Sequence, residues 1–135
     1  MVTNLSPLTI LETSLYVTDL EAARLFYSEI LNLEYHSGLS GRHHFFRCGS
    51  GMLLLFQPDV SSRSTEIPAH GGVGPGHVAF QIEESALKRW GEHLISHGVA
   101  VEHEHTWPNG ARSLYFRDPA GNSLELATPS LWARL

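Results

Sequence analysis

The amino-acid sequence predicts an α+β fold built from two tandem βαβββ modules that form a curved mixed sheet around a cleft. Three observations lead to this prediction. The order strand, helix, strand, strand, strand occurs twice within 135 residues. A stretch rich in Ser, Gly and Pro separates the two occurrences. The strands alternate between apolar and polar side chains, which is typical of a sheet with one covered face.

The first module begins with a strand and a capped helix. Residues Thr9–Val17 alternate as a strand, and Asp19 has the side chain of a helix N-cap. The spacing of the apolar residues then predicts a helix over Leu20–Leu31. Three short strands are predicted to follow, near Leu33–His36, His43–Arg47 and Met52–Gln57.

The second module repeats this order. Residues Gly76–Ile82 are predicted to form a strand, and Glu84–His97 an amphipathic helix that ends at Gly98. The apolar face of this helix is predicted to contain Leu87, Trp90, Leu94 and Ile95. Three strands complete the module, near Val99–His105, Arg112–Arg117 and Ser123–Thr128.

The two modules are predicted to form one domain. We assign residues 1–58 to the first module, 59–75 to a linker, 76–128 to the second module and 129–135 to a C-terminal tail. Neither module alone could bury both faces of its sheet, so the two must share one core or one cleft. The linker is long enough for pairing within one chain or for exchange between two chains.

Composition and charge exclude several classes of partner. The formal net charge is −5 and no cluster of Lys or Arg occurs, so we expect neither a nucleic acid nor an anionic membrane as partner. The longest apolar run, Met52–Phe56, is too short to cross a bilayer. The N-terminus has no export signal and Cys48 is the single cysteine, which together predict a cytoplasmic protein.

The side of each strand that points away from its helix carries polar and aromatic residues. When the modules are overlaid, Glu12 and His77 take equivalent positions in their first strands, and Glu125 overlays Leu54 in the last strands. Two carboxylates and one imidazole suit a divalent cation, and the apolar Leu54 leaves a position for water or substrate. We therefore predict a metal-binding cleft with one divalent ion (Fe, Mn, Ni, Co or Zn) held by Glu12, His77 and Glu125.

The same faces predict a wall that binds a small-molecule substrate. Arg47 could pair with a substrate carboxylate, although an exposed position at the end of a strand is the simpler expectation. His43 and His44 alternate faces, so at most one of them can enter the cleft. The predicted wall contains Tyr16, His43, Phe45, Arg47, Leu54, Phe56, Trp107 and Tyr115.

Three motifs resemble those of the vicinal oxygen chelate superfamily, which includes glyoxalase I, extradiol dioxygenases, fosfomycin-resistance enzymes and bleomycin-binding proteins. The resemblance covers roughly Leu8 to Thr128. It is carried by Tyr16-Val-Thr-Asp-Leu with Leu25-Phe-Tyr, by Gly76-His-Val-Ala-Phe, and by Tyr115-Phe-Arg-Asp-Pro-Ala-Gly-Asn-Ser-Leu-Glu-Leu. It implies the same fold, the ligands Glu12, His77 and Glu125, and a homodimer.

The resemblance also implies a range of reactions. The leading hypothesis is Lewis-acid chemistry of the lyase, isomerase or epimerase type on a substrate chelated through neighbouring oxygens, with Glu12 and Glu125 as catalytic residues. Glyoxalase I has a carboxylate where Leu54 stands, which argues against the usual isomerisation. An extradiol dioxygenase prefers two His and one carboxylate, which Glu12 does not match. A non-enzymatic protein that binds an aromatic or bleomycin-like molecule is the third alternative.

Overall fold

The computed structural model describes residues 4–134. The first module contains β1 (Glu12–Tyr16), α1 (Leu20–Leu25) with a π-helical turn (Phe26–Ile30), β2 (Glu34–Leu39), β3 (His43–Cys48) and β4 (Gly51–Phe56). A short helix, α2 (Pro58–Ser61), follows. The second module contains β5 (His77–Gln81), a 3₁₀ turn (Glu84–Ala86), α3 (Leu87–Ser96), β6 (His103–Thr106), β7 (Arg112–Arg117) and β8 (Ser123–Ala127). A 3₁₀ turn (Pro129–Trp132) comes last.

The strands form two four-stranded mixed sheets with the same topology. The order is β1-β4-β3-β2 in one sheet and β5-β8-β7-β6 in the other. In each sheet the first and last strands of the module are parallel neighbours, and the remaining pairs are antiparallel. The registers also match, because Leu54 lies opposite Ser14 and Glu125 lies opposite Ala79. The predicted α+β fold of tandem βαβββ modules is therefore confirmed.

The first helix begins where the sequence predicts, whereas the second starts as a 3₁₀ turn at Glu84 and becomes α-helical only at Leu87. The Asp19 side chain accepts a hydrogen bond from the Ala22 amide at 3.0 Å and so caps α1. The first helix continues through residue 30 with the wider π-helical hydrogen bonding. In the second helix Ile95 is 65% exposed, so its predicted place on the apolar face is wrong. Within residues 4–134, no helix combines the length and the apolar character that a membrane crossing requires.

One hydrophobic core contains side chains from both modules. Its members from the first helical segment include Phe26 and Tyr27, and the second module contributes Leu94 and Phe116. The rings of Phe26 and Phe116 lie 6.4 Å apart between centroids, across the boundary of the modules. A buried side chain of this size contributes about 1.5–3 kcal/mol relative to its exposed state. Packing of the helical layers therefore joins the two modules of a single chain.

A buried polar network also crosses this boundary. The Tyr27 hydroxyl donates a hydrogen bond of 2.7 Å to Asp118 Oδ2. Both oxygens of Asp118 also accept bonds from its own turn, where the Asn122 amide donates to Oδ1 at 2.9 Å. Because each buried polar group in this network has a hydrogen-bond partner, the network fixes the relative position of the modules.

Part of the linker lies on the first sheet. The ring Nδ1 of His70 is 2.8 Å from the hydroxyl oxygen of Tyr16, and the His70 and Phe56 rings meet edge to face with centroids 4.6 Å apart. A Cβ placed on Gly72 would lie 3.1 Å from the Tyr16 ring, so the backbone approaches this ring closely. These contacts tie the linker to the face of the sheet opposite α1.

Candidate metal centre

His77 and Glu125 meet on the face of the second sheet that points away from α3. They belong to the parallel neighbours β5 and β8, in which Ala79 lies opposite Glu125 and His77 lies opposite Ser123. Alternation along both strands places the two side chains on the same face. His77 Nε2 is 3.3 Å from Glu125 Oε1. The structure therefore brings two of the three predicted ligands together.

The donor arrangement around His77 suits a cation. Its Nδ1 is 3.0 Å from the carbonyl oxygen of Ser123, a pure acceptor, so Nδ1 carries the proton of the neutral ring. In the neutral ring the lone pair on Nε2 then faces the carboxylate oxygen of Glu125, an arrangement that either a metal ion between the two atoms or a proton on Nε2 stabilises. Ligating histidines commonly donate their second N–H to a backbone carbonyl. The two residues thus fit a divalent metal ion.

Glu125 is held by neighbours on β7. It is 5% exposed, and its Oε2 accepts a 2.5 Å hydrogen bond from the Ser113 hydroxyl. The Trp107 indole N–H in turn donates to Ser113 Oγ at 2.9 Å. Tyr115 lies opposite Glu125, and burial together with the negative charge of that carboxylate raises the pKa of its phenol. The carboxylate is therefore kept in one orientation by groups that donate hydrogen bonds.

Glu12 lies apart from this pair. It is exposed on the edge strand β1 and lines a cleft of about 700 Å³ between the two modules, together with Gln81 of β5. Neither His77 nor Glu125 lines this cleft. Within the part of the chain that the structure describes, no three His, Cys, Asp or Glu side chains are grouped so that they could hold a metal ion. A single chain therefore supplies His77 and Glu125 to the predicted site without Glu12.

Apart from Arg47, the predicted substrate wall divides into two groups, one on each sheet. The first sheet carries an aromatic cluster in which the His43 and Phe45 rings stack with centroids 4.1 Å apart and an angle of 7° between planes. Arg42 Nη1 is 2.6 Å from His43 Nδ1. Burial, the Arg42 charge and His44 together lower the pKa of His43. This group consists of Tyr16, His43, Phe45, Leu54 and Phe56.

The remaining wall residues occupy different surroundings. Trp107 and Tyr115 lie beside Glu125 and line a shallow cavity of about 390 Å³. Arg47 is exposed at the end of β3, where its Nε is 3.1 Å from Glu34 Oε2. His44 points to the opposite face from His43 and is buried, with Nδ1 2.8 Å from the Tyr35 hydroxyl. Of the adjacent histidines, only His43 faces the aromatic cluster.

Four side chains near these groups have no role assigned from the sequence, namely His70, His103, His105 and Ser113. His103 and His105 lie on β6 opposite Tyr115 and Ser113. Only the register of β6 against β7 places them beside the face that carries His77 and Glu125. The alternating His-Glu-His pattern could have indicated a shared face, but not which neighbours it meets. His70 belongs to the linker, where no periodicity exists to locate it.

Comparison with known proteins agrees with this fold. Residues 9–126 match the family model described as the Glyoxalase/Bleomycin resistance protein/Dioxygenase superfamily. The chain belongs to this superfamily, and the resemblance inferred from its motifs is confirmed.

Individual relatives are named as enzymes. A crystal structure described as lactoylglutathione lyase from Agrobacterium tumefaciens is 45% identical, with a TM-score of 0.91, and the match covers 95% of this chain and 98% of that one. Metallothiol transferase FosB from Shouchella clausii is 30% identical, over 88% of this chain and 79% of the relative. Glutathione transferase FosA from Serratia marcescens is 30% identical, over 90% and 82% respectively.

Proposed function

We propose that this protein is a divalent-metal-dependent enzyme that acts on a small substrate bound through two neighbouring oxygen atoms. The observation that carries the proposal is the 3.3 Å approach of His77 Nε2 to Glu125 Oε1, with His77 Nδ1 engaged by the Ser123 carbonyl. In this arrangement His77 and Glu125 would be the ligands of a histidine–carboxylate metal site. The hydrogen bond of His77 Nδ1 to the Ser123 carbonyl is the kind that orients a ligating histidine. Membership in a superfamily whose matched relatives are named as enzymes supports catalysis.

We propose that Glu12 of a second copy of the chain completes the site in a homodimer. Glu12 is not grouped with His77 and Glu125 in one chain, although its position in β1 matches that of His77 in β5. Both β1 and β5 are outer strands of their sheets in the described residues. The segment that leads into β1 exposes large apolar side chains: Leu5 72%, Leu8 98%, Ile10 84% and Leu11 71%. Free edges and exposed apolar surface favour association with another copy.

In such a dimer the face with the metal ligands and the face with the aromatic cluster of the first sheet would have complementary roles. The metal ion would polarise a substrate oxygen and stabilise negative charge that develops on it. Glu12 and Glu125 would balance the charge of a dication, so a neutral or singly charged substrate fits better than a phosphate. The aromatic cluster on the first sheet would bind the apolar part of the substrate and exclude water from it.

Leu54 distinguishes between reactions that this site could perform. It overlays Glu125 in register but is apolar, and it is 7% exposed among aromatic neighbours. An isomerisation that moves a proton between carbons needs a base, and β4 offers none at this position. Addition of a thiol to an electrophilic carbon does not require a base that removes a proton from carbon, because the thiolate is itself the nucleophile. The relatives named as metallothiol and glutathione transferases support this second reaction. We propose addition of a thiol to an epoxide, in which the C–S bond forms as the ring C–O bond breaks, and the released alkoxide takes up the proton that the thiol gave to solvent.

The dimeric metal site can be tested with two complementary variants. We expect Glu12→Gln and Glu125→Gln each to lose tight binding of Mn²⁺ or Zn²⁺ in calorimetric titration. Chains that carry Glu12→Gln are then co-expressed with chains that carry Glu125→Gln, and the two kinds of chain are purified together. A site shared between chains regains one intact copy in each mixed dimer, so random pairing restores about a quarter of the wild-type sites.

Other outcomes separate the parts of the proposal. Glu34→Gln, which changes another exposed glutamate of the first module, serves as the control and should bind metal like the wild type. Absence of stoichiometric binding by the wild type would contradict the metal site. Loss in both single variants without recovery in the mixture would contradict a site shared between chains.

The reaction class needs a separate assay. Metal-loaded protein is incubated with glutathione or cysteine and a panel of small epoxides, and in parallel with the hemithioacetal of methylglyoxal. Thiol addition predicts loss of free thiol with an epoxide, which Glu125→Gln abolishes. Thioester formation from the hemithioacetal without epoxide turnover would favour isomerisation instead. Turnover of catechols by iron-loaded protein would favour ring cleavage.

A further inference from the structure

We propose that Trp107 is a positioning residue that acts through Ser113 to hold Glu125 as a one-oxygen metal ligand. The inference rests on the metal site proposed above and concerns how that site stays open to substrate. It assigns a role to the turn between β6 and β7, which lies outside the strands that carry the ligands.

A short chain of hydrogen bonds joins the three residues. The Trp107 indole N–H donates to Ser113 Oγ at 2.9 Å, and the Ser113 hydroxyl donates to Glu125 Oε2 at 2.5 Å. Ser113 and Glu125 are 1% and 5% exposed. Bulk water therefore has little access to this side of the carboxylate.

The direction of these bonds is fixed by chemistry. A serine hydroxyl can donate or accept and can rotate about its C–O bond, whereas an indole N–H only donates. Because the indole occupies an acceptor position of Ser113 Oγ, the serine proton remains free to point at the carboxylate. Bonds between a hydroxyl and an ionised carboxylate are short and strong. Trp107 thus selects the orientation in which Ser113 donates to Glu125.

This arrangement makes the two oxygens of Glu125 unequal. Oε2 is engaged by Ser113, and Oε1 is the oxygen 3.3 Å from His77 Nε2. A metal ion between His77 and Glu125 would then bind one carboxylate oxygen instead of both. The coordination position that a second oxygen would take remains available to substrate or water.

The position of the indole depends on a tightly bonded turn. The Trp107 amide donates to the Ala111 carbonyl at 2.8 Å, and Gly110 adopts a φ of 88°, which favours glycine. The Asn109 side chain accepts from the Ala111 amide at 3.0 Å and donates to the Ser130 carbonyl at 3.0 Å. The turn and the C-terminal segment therefore set the location of Trp107 together.

Cobalt binding tests the inference, because the visible spectrum of bound Co²⁺ reports coordination number. The full-length wild type is compared with Ser113→Ala, Trp107→Phe, Glu125→Gln and the control Trp132→Phe, whose indole is 88% exposed. Loss of an outer-shell partner typically weakens metal binding about 10–100-fold, which we expect for Ser113→Ala. Trp107→Phe keeps most of the ring but lacks the N–H donor, and a loss of about 2–10-fold corresponds to one hydrogen bond.

We also expect both variants to shift the Co²⁺ spectrum toward higher coordination number, while Trp132→Phe matches the wild type. Wild-type affinity and spectrum in Trp107→Phe would overturn the inference, even if Glu125→Gln abolishes binding and so supports the metal site. Equal Co²⁺ binding by wild type and Glu125→Gln would instead overturn the proposed site itself. Trp107→Phe keeps the test valid if Ser113→Ala fails to fold.

Discussion

Asn122 Nδ2 donates a hydrogen bond of 3.0 Å to the carbonyl oxygen of Tyr16, a residue 106 positions earlier in the chain. The same side chain accepts from the Gly76 amide at 2.7 Å and donates to Asp118 Oδ2 at 3.0 Å. Asn122 is 2% exposed, so these bonds lie in the interior. One amide thus connects the end of β1, the start of β5 and the turn before β8.

Replacement of Asn122 by Ala should destabilise the protein strongly. It leaves the Gly76 amide and the Tyr16 carbonyl without their partner, and we expect a loss of about 2–4 kcal/mol in the free energy of unfolding. Urea denaturation followed by circular dichroism measures this loss. Asn4→Ala removes an exposed asparagine ahead of β1 and should lose less than about 1 kcal/mol. Equal losses in the two variants would contradict the role of Asn122.

Gly38 should not tolerate a side chain. A Cβ at this position would overlap the Tyr35 hydroxyl and would lie 2.5 Å from His44 Nδ1. These two groups form a 2.8 Å hydrogen bond, and His44 Nε2 is also 3.1 Å from Glu21 Oε1. We expect Gly38→Ala to lower the free energy of unfolding by about 1–3 kcal/mol through overpacking.

The matched control for this substitution is Gly91→Ala. Gly91 lies inside α3, and its added Cβ would meet Leu114 at 3.6 Å, an ordinary contact. Alanine is the better helix former, so we expect a stabilisation of about 0.4–1 kcal/mol. The melting temperature and the urea midpoint should therefore fall in Gly38→Ala and rise in Gly91→Ala. A stable Gly38→Ala variant would show that the Tyr35–His44 contact can shift at little cost.

Tyr27 should make the protein sensitive to alkali. Burial raises the pKa of its phenol, and the neighbouring Asp118 charge and the hydrogen bond to it raise it further. The unfolded chain ionises this phenol near its ordinary value of about 10, while the folded chain keeps it neutral. The contribution of Tyr27 is therefore complete below about pH 10 and is lost as the pH rises above it.

The variant Tyr27→Phe separates this effect from general instability. At pH 7 it should be less stable by about 1–3 kcal/mol, because the buried oxygen Asp118 Oδ2 loses one of its two donors. Between about pH 9 and 11 its urea midpoint should fall less steeply than that of the wild type. Some slope will remain, since the pKa values of Tyr115 and Cys48 are also raised. Parallel curves for the two proteins would contradict the assignment.

Metal binding should stabilise the folded protein. A ligand that binds only the folded state at a hundred times its dissociation constant adds about 2.7 kcal/mol. We expect Zn²⁺ to raise the melting temperature of the wild type and excess EDTA to reverse the rise. Glu125→Gln should melt at the same temperature with and without Zn²⁺. A similar rise in that variant would place the stabilising ion elsewhere.

Much of the fold could be predicted because its signals are local. Alternation identified both first strands, and β7 coincides with the predicted Arg112–Arg117. The details of the helices were predicted less well: the π-helical turn at Phe26–Ile30 has no sequence signature, and Ile95 is exposed. Helical spacing gives the direction of a side chain around the helix axis, but packing against neighbouring elements determines how much of the apolar face is buried.

The sequence by itself determined the duplicated modules and the strand face on which Glu12, His77 and Glu125 stand. It also determined that the apolar Leu54 occupies the position in the first module that is equivalent to Glu125. These features could be predicted because strand alternation and an internal repeat can be read along one chain. Only the tertiary structure decided which side chains meet. Parallel pairing of β5 and β8 brings His77 to Glu125, the β6–β7 register brings Trp107 to Ser113, and shared core packing keeps Glu12 away from its predicted partners. These distances depend on contacts between residues far apart in sequence, and no local pattern encodes them.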